Sequence, residues 1–579
     1  MTFGNVKGLF FIISLSFLVN FLKSCPLSGQ DVEPQPYDII ISEIMADPSP
    51  ARSLPELEYI ELFNRSSQAI NLLNWSVIMG NHEIFLPELF IKPGEYIVIT
   101  DFLIDSTAHF NCKTICIEMP YITNTGQVIS VMSPEKSVIH SVNFSDEWYK
   151  DPDKDEGGWS IEIIDPDNPC GGKKNWHASV DSDGGTPGEK NSVYMPNPDL
   201  LSPILLNASL ISDTLVLLHF NESLYYPGLN LCSLYSVNNG FYHPDSVIPI
   251  EPGFRDILLQ YNAKFKRGTI YTVTMREDFR DCAGNEPADN MFVPFSYSGI
   301  AEKSDLVINE VLFKAANNEE FVEVFNRSDK VIELSSLTLS IANESNVIYK
   351  TIHLAEYPVS VFPKQYAVVC RSPDDLIARN NKANLRSLLE QPAFFSLPDE
   401  GALLVLADNE GNSIDEFSYN KNMHYELISE TAGISLERVN SEIPSDNPDN
   451  WHSASSVSGF STPGFFNSQS MSESDENLIL MSPEILSPDG DGVDDEIVIQ
   501  FRFKEPGWTG TVQIYTLNGN KIRTLIANSL LGTTEFLRWD GKDDEGNFAV
   551  IGLYLVLGEF FSSVGEIKNF KKVIPVVNK

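Results

Sequence analysis

The chain has 579 residues, 42% of them hydrophobic, with 80 acidic side chains against 40 basic ones and a net charge of −40. That length exceeds what one hydrophobic core supports and fits about three to five domains. Such a negative field repels phosphate backbones and anionic lipid surfaces, which argues against nucleic-acid binding and favours attraction of divalent cations.

The first element reads as an export signal. Lys7 precedes an apolar run from Leu9 to Leu22, broken by Ser14, Ser16 and Asn20. This run is shorter than the roughly 18–20 residues that a spanning helix needs. Ser28-Gly29-Gln30 supplies the small residues of a cleavage site, so residues 1–30 are expected to be removed. Lipid anchoring at Cys25 is the alternative, disfavoured by Lys23 beside it. No other segment has the length and apolarity of a membrane span, and the mature protein is expected to be secreted or on the outer cell surface.

The next element, residues 38–193, returns as residues 304–468. E-Y-I-E-L-F-N-R-S-S at Glu58–Ser67 recurs as E-F-V-E-V-F-N-R-S-D at Glu320–Asp329, with six of ten positions identical. Ile41–Met45 matches Ile308–Leu312, Ile91–Ile99 matches Val361–Val369, and N-W-H…T-P-G closes both copies, at Asn175–Gly188 and Asn450–Gly464. The spacing between counterparts drifts only from 262 to 275 residues, the mark of a duplicated domain. Within each copy the apolar period is two, with turn chemistry at Asn64-Arg65-Ser66-Ser67 and Lys92-Pro93-Gly94, which predicts short strands of a β-sandwich. The faces of Glu58–Phe63 are mixed rather than cleanly polar and apolar. Ser336-Leu337-Thr338 stands in the second copy where the first has Asn74-Trp75-Ser76. An insertion at Asp374–Glu390 predicts a short helix with Leu385, Leu388 and Leu389 along one face.

These motifs in combination resemble the lamin tail domain, an immunoglobulin-like β-sandwich, and cover Ile39–Val193 and Asp305–Ser468. The resemblance, taken with an export signal, implies the exported bacterial branch (Bacteroidetes type) rather than a nuclear filament protein. Between the copies, Thr214–Glu222, Gly268–Thr274 and D-C-A-G-N at Asp281–Asn285 are similar to a bacterial Ig-like domain, placed at residues 200–298. Residues 469–477 read as a linker. Residues 478–579 resemble the Ig-like fold of the flagellar hook-capping protein and the C-terminal domains of gliding-associated surface proteins. That resemblance implies a role in addressing the chain to type IX secretion. The expected fold is therefore all-β, four tandem Ig-like sandwiches after a signal peptide.

No G-x-S-x-G, Walker loop, H-E-x-x-H or C-x-x-C is present, so catalytic residues are not expected. His177 and His452 occupy equivalent places and read as rim residues beside a buried tryptophan. Six cysteines remain after Cys25, and 15 pairings are open. Cys232 with Cys282 is the expected pair because both fall in one short domain. Asp489, Asp491, Asp494 and Asp495, in a glycine-turned loop, are the candidate calcium ligands, since calcium takes six to eight oxygens. A second acidic loop at Asp151–Gly157 is a weaker candidate, because Glu156 fills the place of the turn glycine. No other cofactor is expected. The composition and domain order point to a non-enzymatic binding and structural protein at the surface. The expected partner is an unidentified extracellular protein or glycan, and the secretion machinery is a further candidate partner. The alternative is an accessory binding component of an extracellular hydrolase system.

Overall fold

The computed structural model describes residues 34–577, apart from 102–109, 111, 251–252, 288–290, 316–318, 344, 427, 429 and 472–476. The expected signal peptide and Cys25 lie outside the described residues. Among the described residues no helix is long and apolar enough to cross a membrane.

The chain is all-β. In the first copy a six-stranded sheet runs in the order Trp176–Ala178, Ile161–Ile163, Ile39–Met45, Tyr59–Asn64, Tyr96–Thr100, Thr114–Cys116. A four-stranded sheet faces it, in the order Val138–Ser145, Gly126–Met132, Ser76–Met79, His82–Phe85. The second copy repeats both sheets with the same connections, from Trp451–Ser453 through Leu306–Leu312 to Leu388–Glu390, and from Ser413–Asn420 to Ile348–His353. Each copy closes a core of inward-facing side chains, with Trp75 and Trp176 in one and Leu337 and Trp451 in the other. Leu337 thus takes the buried place of Trp75.

The insertion departs from expectation. The helix is Pro373–Arg379, capped by the Ser372 side chain, and Leu388-Leu389 belongs to a strand lying parallel to Tyr366–Cys370. The first copy has the same parallel strand, Thr114–Cys116 beside Tyr96–Thr100. Leu388 and Leu389 therefore follow the sheet rather than a helical face, and Leu385 opens the short 3-10 turn before it.

Between the copies, a four-stranded sheet (Leu205–Ser212, Leu215–Phe220, Asp256–Gln260, Ser246–Ile250) and a three-stranded one (Tyr235–Val237, Tyr271–Met275, Phe292–Phe295) enclose a separate core. The final region builds its own core from three strands (Leu478–Ser482, Ile497–Arg502, Thr534–Trp539) and four (Lys521–Leu531, Trp508–Thr516, Gly552–Ser562, Ile567–Val576).

The expected Cys232–Cys282 disulfide is corrected. Cys282 pairs with Cys170 at a Cα separation of 6.4 Å, and Cys232 is free. Cys232 opens the turn before strand Tyr235–Val237, whereas Cys282 sits in the Asp281–Asn285 turn, against the core of the first copy. The link is between regions, and the sequence separation of 112 gave no hint of it.

Buried carboxyl groups and candidate cation sites

The mixed faces of Tyr59–Asn64 have a physical cause: both faces of the six-stranded sheet are covered. Ile60 and Leu62 enter the main core, while Tyr59 joins Met45, Val98 and Phe110 in a second cluster on the outer face. On that outer face lie three glutamates of neighbouring strands, Glu43, Glu61 and Glu162, none with any exposed surface. The ladder sets Glu43 opposite Glu162 on one side and opposite Glu61 on the other. A bulge between Ile41 and Glu43 makes this possible. An extra residue there turns the strand so that Glu43 shares a face with Glu61, the usual effect of a bulge.

The roof over these carboxyls is the T-P-G segment and the residues that follow it. Glu43 accepts from the Thr186 amide at 2.9 Å, the Ser160 hydroxyl at 2.6 Å and the Tyr59 hydroxyl at 2.6 Å. Glu61 accepts from the Gly188 amide at 2.5 Å and the Ser42 hydroxyl at 2.7 Å. Glu162 accepts from the Thr186 and Ser192 hydroxyls at 3.0 and 2.8 Å and the Val193 amide at 3.1 Å. Gly188 has φ +88°, and a β-carbon there would run into Cys112. Only glycine fits at that point of the strap.

The second copy repeats the arrangement with Glu310, Glu323 and Glu437. Thr462 donates its amide to Glu310 at 2.9 Å and its hydroxyl to Glu437 at 2.8 Å. The Gly464 amide donates to Glu323 at 2.7 Å, and the Ser468 hydroxyl and Gln469 amide donate to Glu437 at 2.7 and 2.8 Å. A bulge stands between Ile308 and Glu310, and Asn309, in the place of Ser42, donates to Glu323 at 2.7 Å.

Burial disfavours the charged form. It pushes Glu43 up to about 7, with Glu162 adding to the effect, and Glu310 up to about 8, with Glu437 adding. Burial likewise raises Glu61 and Glu323, then the neighbouring Glu43 and Glu310 respectively. The six carboxyls are met by hydroxyls and amides of their own strap. Chemically they are acceptors that fasten the strap to the sheet.

His177 and His452, the duplicated histidines, are half-buried and stand directly across the ladder from Glu162 and Glu437. Their neighbours Trp176 and Trp451 are buried in the cores, as a rim role requires.

Of the four aspartates expected to bind calcium, Asp489, Asp491 and Asp495 place carboxylate oxygens within 4.8 Å of one another, and Asp494 is outside the group. Asp494 sits at φ +57°, a turn position. The loop's own amides satisfy much of this set. Asp495 accepts from Gly490 and Gly492 at 2.7 and 2.8 Å, and Asp491 accepts from Val493 at 2.7 Å. A second group, Asp199, Glu222 and Asp281, escaped sequence reading because three distant segments supply it. Burial, then Asp199 and Asp281, pushes Glu222 up to about 8. Asp281 accepts from the Gly284 and Asn285 amides at 2.6 and 2.8 Å, which gives the D-C-A-G-N motif its turn.

Residues 33–145 and 300–421 match the family model described as Lamin Tail Domain. Both matches end before the third glutamate and the strap of their copy. Among curated proteins none matches the chain. Among solved structures, the chain is similar to the S-layer protein rSbsC(31-844) at 14% identity, over 65% of this chain and 54% of that one, with a TM-score of 0.16. It is similar to a tetra-tandem repeat in the extending region of a large adhesion protein at 8% identity, over 93% and 99%, with a TM-score of 0.13. CopC from Methylosinus trichosporium OB3b is similar at 17% identity, over 18% and 95%, with a TM-score of 0.13. The chain spans about half the length of that S-layer protein. At these TM-scores no function is carried across.

Proposed function

The chain carries the lamin tail domain twice, and from that premise we propose that it is an exported, non-catalytic binding and structural protein of the cell surface. The observation that carries this reading is the Cys170–Cys282 disulfide between the first lamin tail copy and the Ig-like region. Disulfides persist in oxidising compartments and are rare where thioredoxin and glutathione act. The hydrophobic run behind Lys7 supports the same destination. So does the strapped construction of each copy, which suits a rigid module that presents a surface. The partner class is an extracellular protein or glycan, and the route is type IX secretion, addressed by residues 478–579.

Intact cells treated with protease are expected to lose the protein, and non-reducing peptide mapping of the native protein is expected to recover Cys170 joined to Cys282. Confinement to the cytoplasm with every thiol reduced overturns the reading. A strain without type IX machinery is expected to hold the protein inside the outer membrane, and unchanged export removes that route. For the Asp489–Asp495 loop the proposed ligand is calcium. Calcium is expected to raise the melting temperature of the full chain, and an unchanged melt at saturating calcium removes the ion.

A further inference from the structure

The second copy and the final region meet along a seam that, among the described residues, the first copy lacks. Ser455 and Gln469 of the second copy have no exposed surface there. The Ser456 amide and hydroxyl both donate to the Leu530 carbonyl, at 3.0 and 2.9 Å. Gln469 donates through Nε2 to the Leu531 carbonyl at 3.1 Å and accepts at Oε1 from the Gly507 amide at 3.4 Å. In the other direction, the Thr533 amide donates to the Ser468 carbonyl at 2.8 Å, and the Thr533 hydroxyl to the Ser470 carbonyl. The buried Glu535 carboxyl accepts from the Gly532 amide at 3.0 Å and from the Ser455 hydroxyl. Val457 packs into the core of the final region. A β-carbon on Gly532 would stand 2.5 Å from the Ser468 carbonyl oxygen, so the approach requires glycine.

The counterpart positions in the first copy are fixed by the shared strap. The Val180 amide donates to Ser192 at 2.8 Å just as the Ser455 amide donates to Ser468 at 2.8 Å. Val193 holds Glu162 as Gln469 holds Glu437. Yet Val180 is 58% exposed where Ser455 is fully covered. The same scaffold positions therefore carry partner-matching serine and glutamine in one copy only.

We propose that the second copy is the permanent cradle of the final region, and that the two form one obligate body that stays together when the chain between them is cut. Parting them would return Val457 to water and break at once the bonds that Ser455, Ser456, Gln469 and Thr533 make across the seam. Gln469 and Ser470 thereby belong to the seam rather than to the exposed linker expected from their composition.

The test uses the full chain with a specific protease site placed between Met471 and Asn477, cut to completion as judged on a denaturing gel. The two pieces are expected to co-elute at micromolar concentration in native size-exclusion chromatography. Gly532→Val is expected to separate them, with the strand signal in circular dichroism unchanged before cutting. Gln469→Ala, a milder change, is expected to weaken retention about tenfold. Separation of the unsubstituted pieces overturns the proposal. Retention undiminished in both variants overturns the seam as its cause. If Gly532→Val does not fold, Gln469→Ala decides alone.

Discussion

The two lamin tail copies share their buried carboxyl lock and differ in what surrounds it. At the bulge, the backbone amide of the first strand needs an acceptor. In the first copy His140 Nδ1 accepts from the Ile41 amide at 2.9 Å, and burial pushes this histidine down to about 4, so it stays neutral. In the second, Asp415 takes that place and accepts from the Ile308 amide at 2.8 Å. Its charge is met by Arg438, 1% exposed, at 3.2 Å, where the first copy has Ile163. The outer cluster of the second copy is closed by Leu376 of its inserted helix, and that of the first copy includes Phe110. Duplication has kept the three glutamates and the glycine of the strap while exchanging neutral for ionic chemistry one layer away. The lock is common to both copies. The chemistry beside it is negotiable.

The sharpest way to break this comparison is to remove one side of the ionic solution. Arg438→Met leaves Asp415 buried without its cation and is expected to cost about 4 kcal/mol, because a lone buried charge is far worse than none. His140→Leu removes one neutral acceptor and is expected to cost about 2 kcal/mol. Urea denaturation that ranks them the other way would show that the second copy does not rely on the ion pair.

Removing the shared feature should treat the copies alike. Glu43→Ala and Glu310→Ala each strand a serine hydroxyl and a threonine amide in a sealed space, with an expected cost of about 3 kcal/mol in either copy. A neutral result in one copy alone would mean its strap is held by something other than the lock.

These glutamates were partly legible beforehand, and the reason is instructive. All three recur at equivalent positions, and the mixed faces of Glu58–Phe63 already conflicted with a half-exposed strand. What the sequence could not show is that the outer face is roofed by a segment 127 residues further on, between Glu61 and Gly188. Nor could it show the bulges, since an extra residue in a strand leaves the composition unchanged. The presence of short sandwich strands and the buried tryptophans beside His177 and His452 were readable from period and repeat. The Cys170–Cys282 pairing, the Asp199–Glu222–Asp281 group and the seam at Gln469 were not, because each joins segments whose proximity depends on how separate cores pack together. The short helix was placed too late because Leu388 and Leu389 satisfy a strand equally well.

A further effect follows from pH. Both Glu43 and Glu310 are raised above the ordinary carboxyl value, so the folded state holds protons that the unfolded chain releases. Below about pH 4.5 both states are protonated and neither glutamate biases folding. As pH rises from there toward about 7 for Glu43 and about 8 for Glu310, stability falls, and it levels off above. The expected loss is on the order of a few kcal/mol, larger and extending to higher pH in the second copy. Stability that holds level or rises between pH 5 and 8 contradicts this assignment.

The smallest expected effect sharpens the comparison at the seam. Val180→Thr changes an exposed side chain and should stay within about 0.5 kcal/mol. Ser455→Val, the counterpart exchange, takes a donor from the buried Glu535 and should cost about 1–2 kcal/mol. Equal values would place the seam's strength elsewhere.

The covalent tie between Cys170 and Cys282 acquires a further meaning if the protein is pulled along its length. Tension entering from the first copy crosses at the sulfur bridge and re-enters the backbone at Cys282, skipping the chain between them. With a sequence separation of 112, roughly 380 Å of extensible backbone is withheld from the applied force. The strands Leu205–Ser212 through Tyr271–Met275 then sit slack inside the bypass, and the load falls on the short stretch from Cys282 to Phe292–Phe295. Reduction of one bond would convert a stiff tether into one with a long reserve of give.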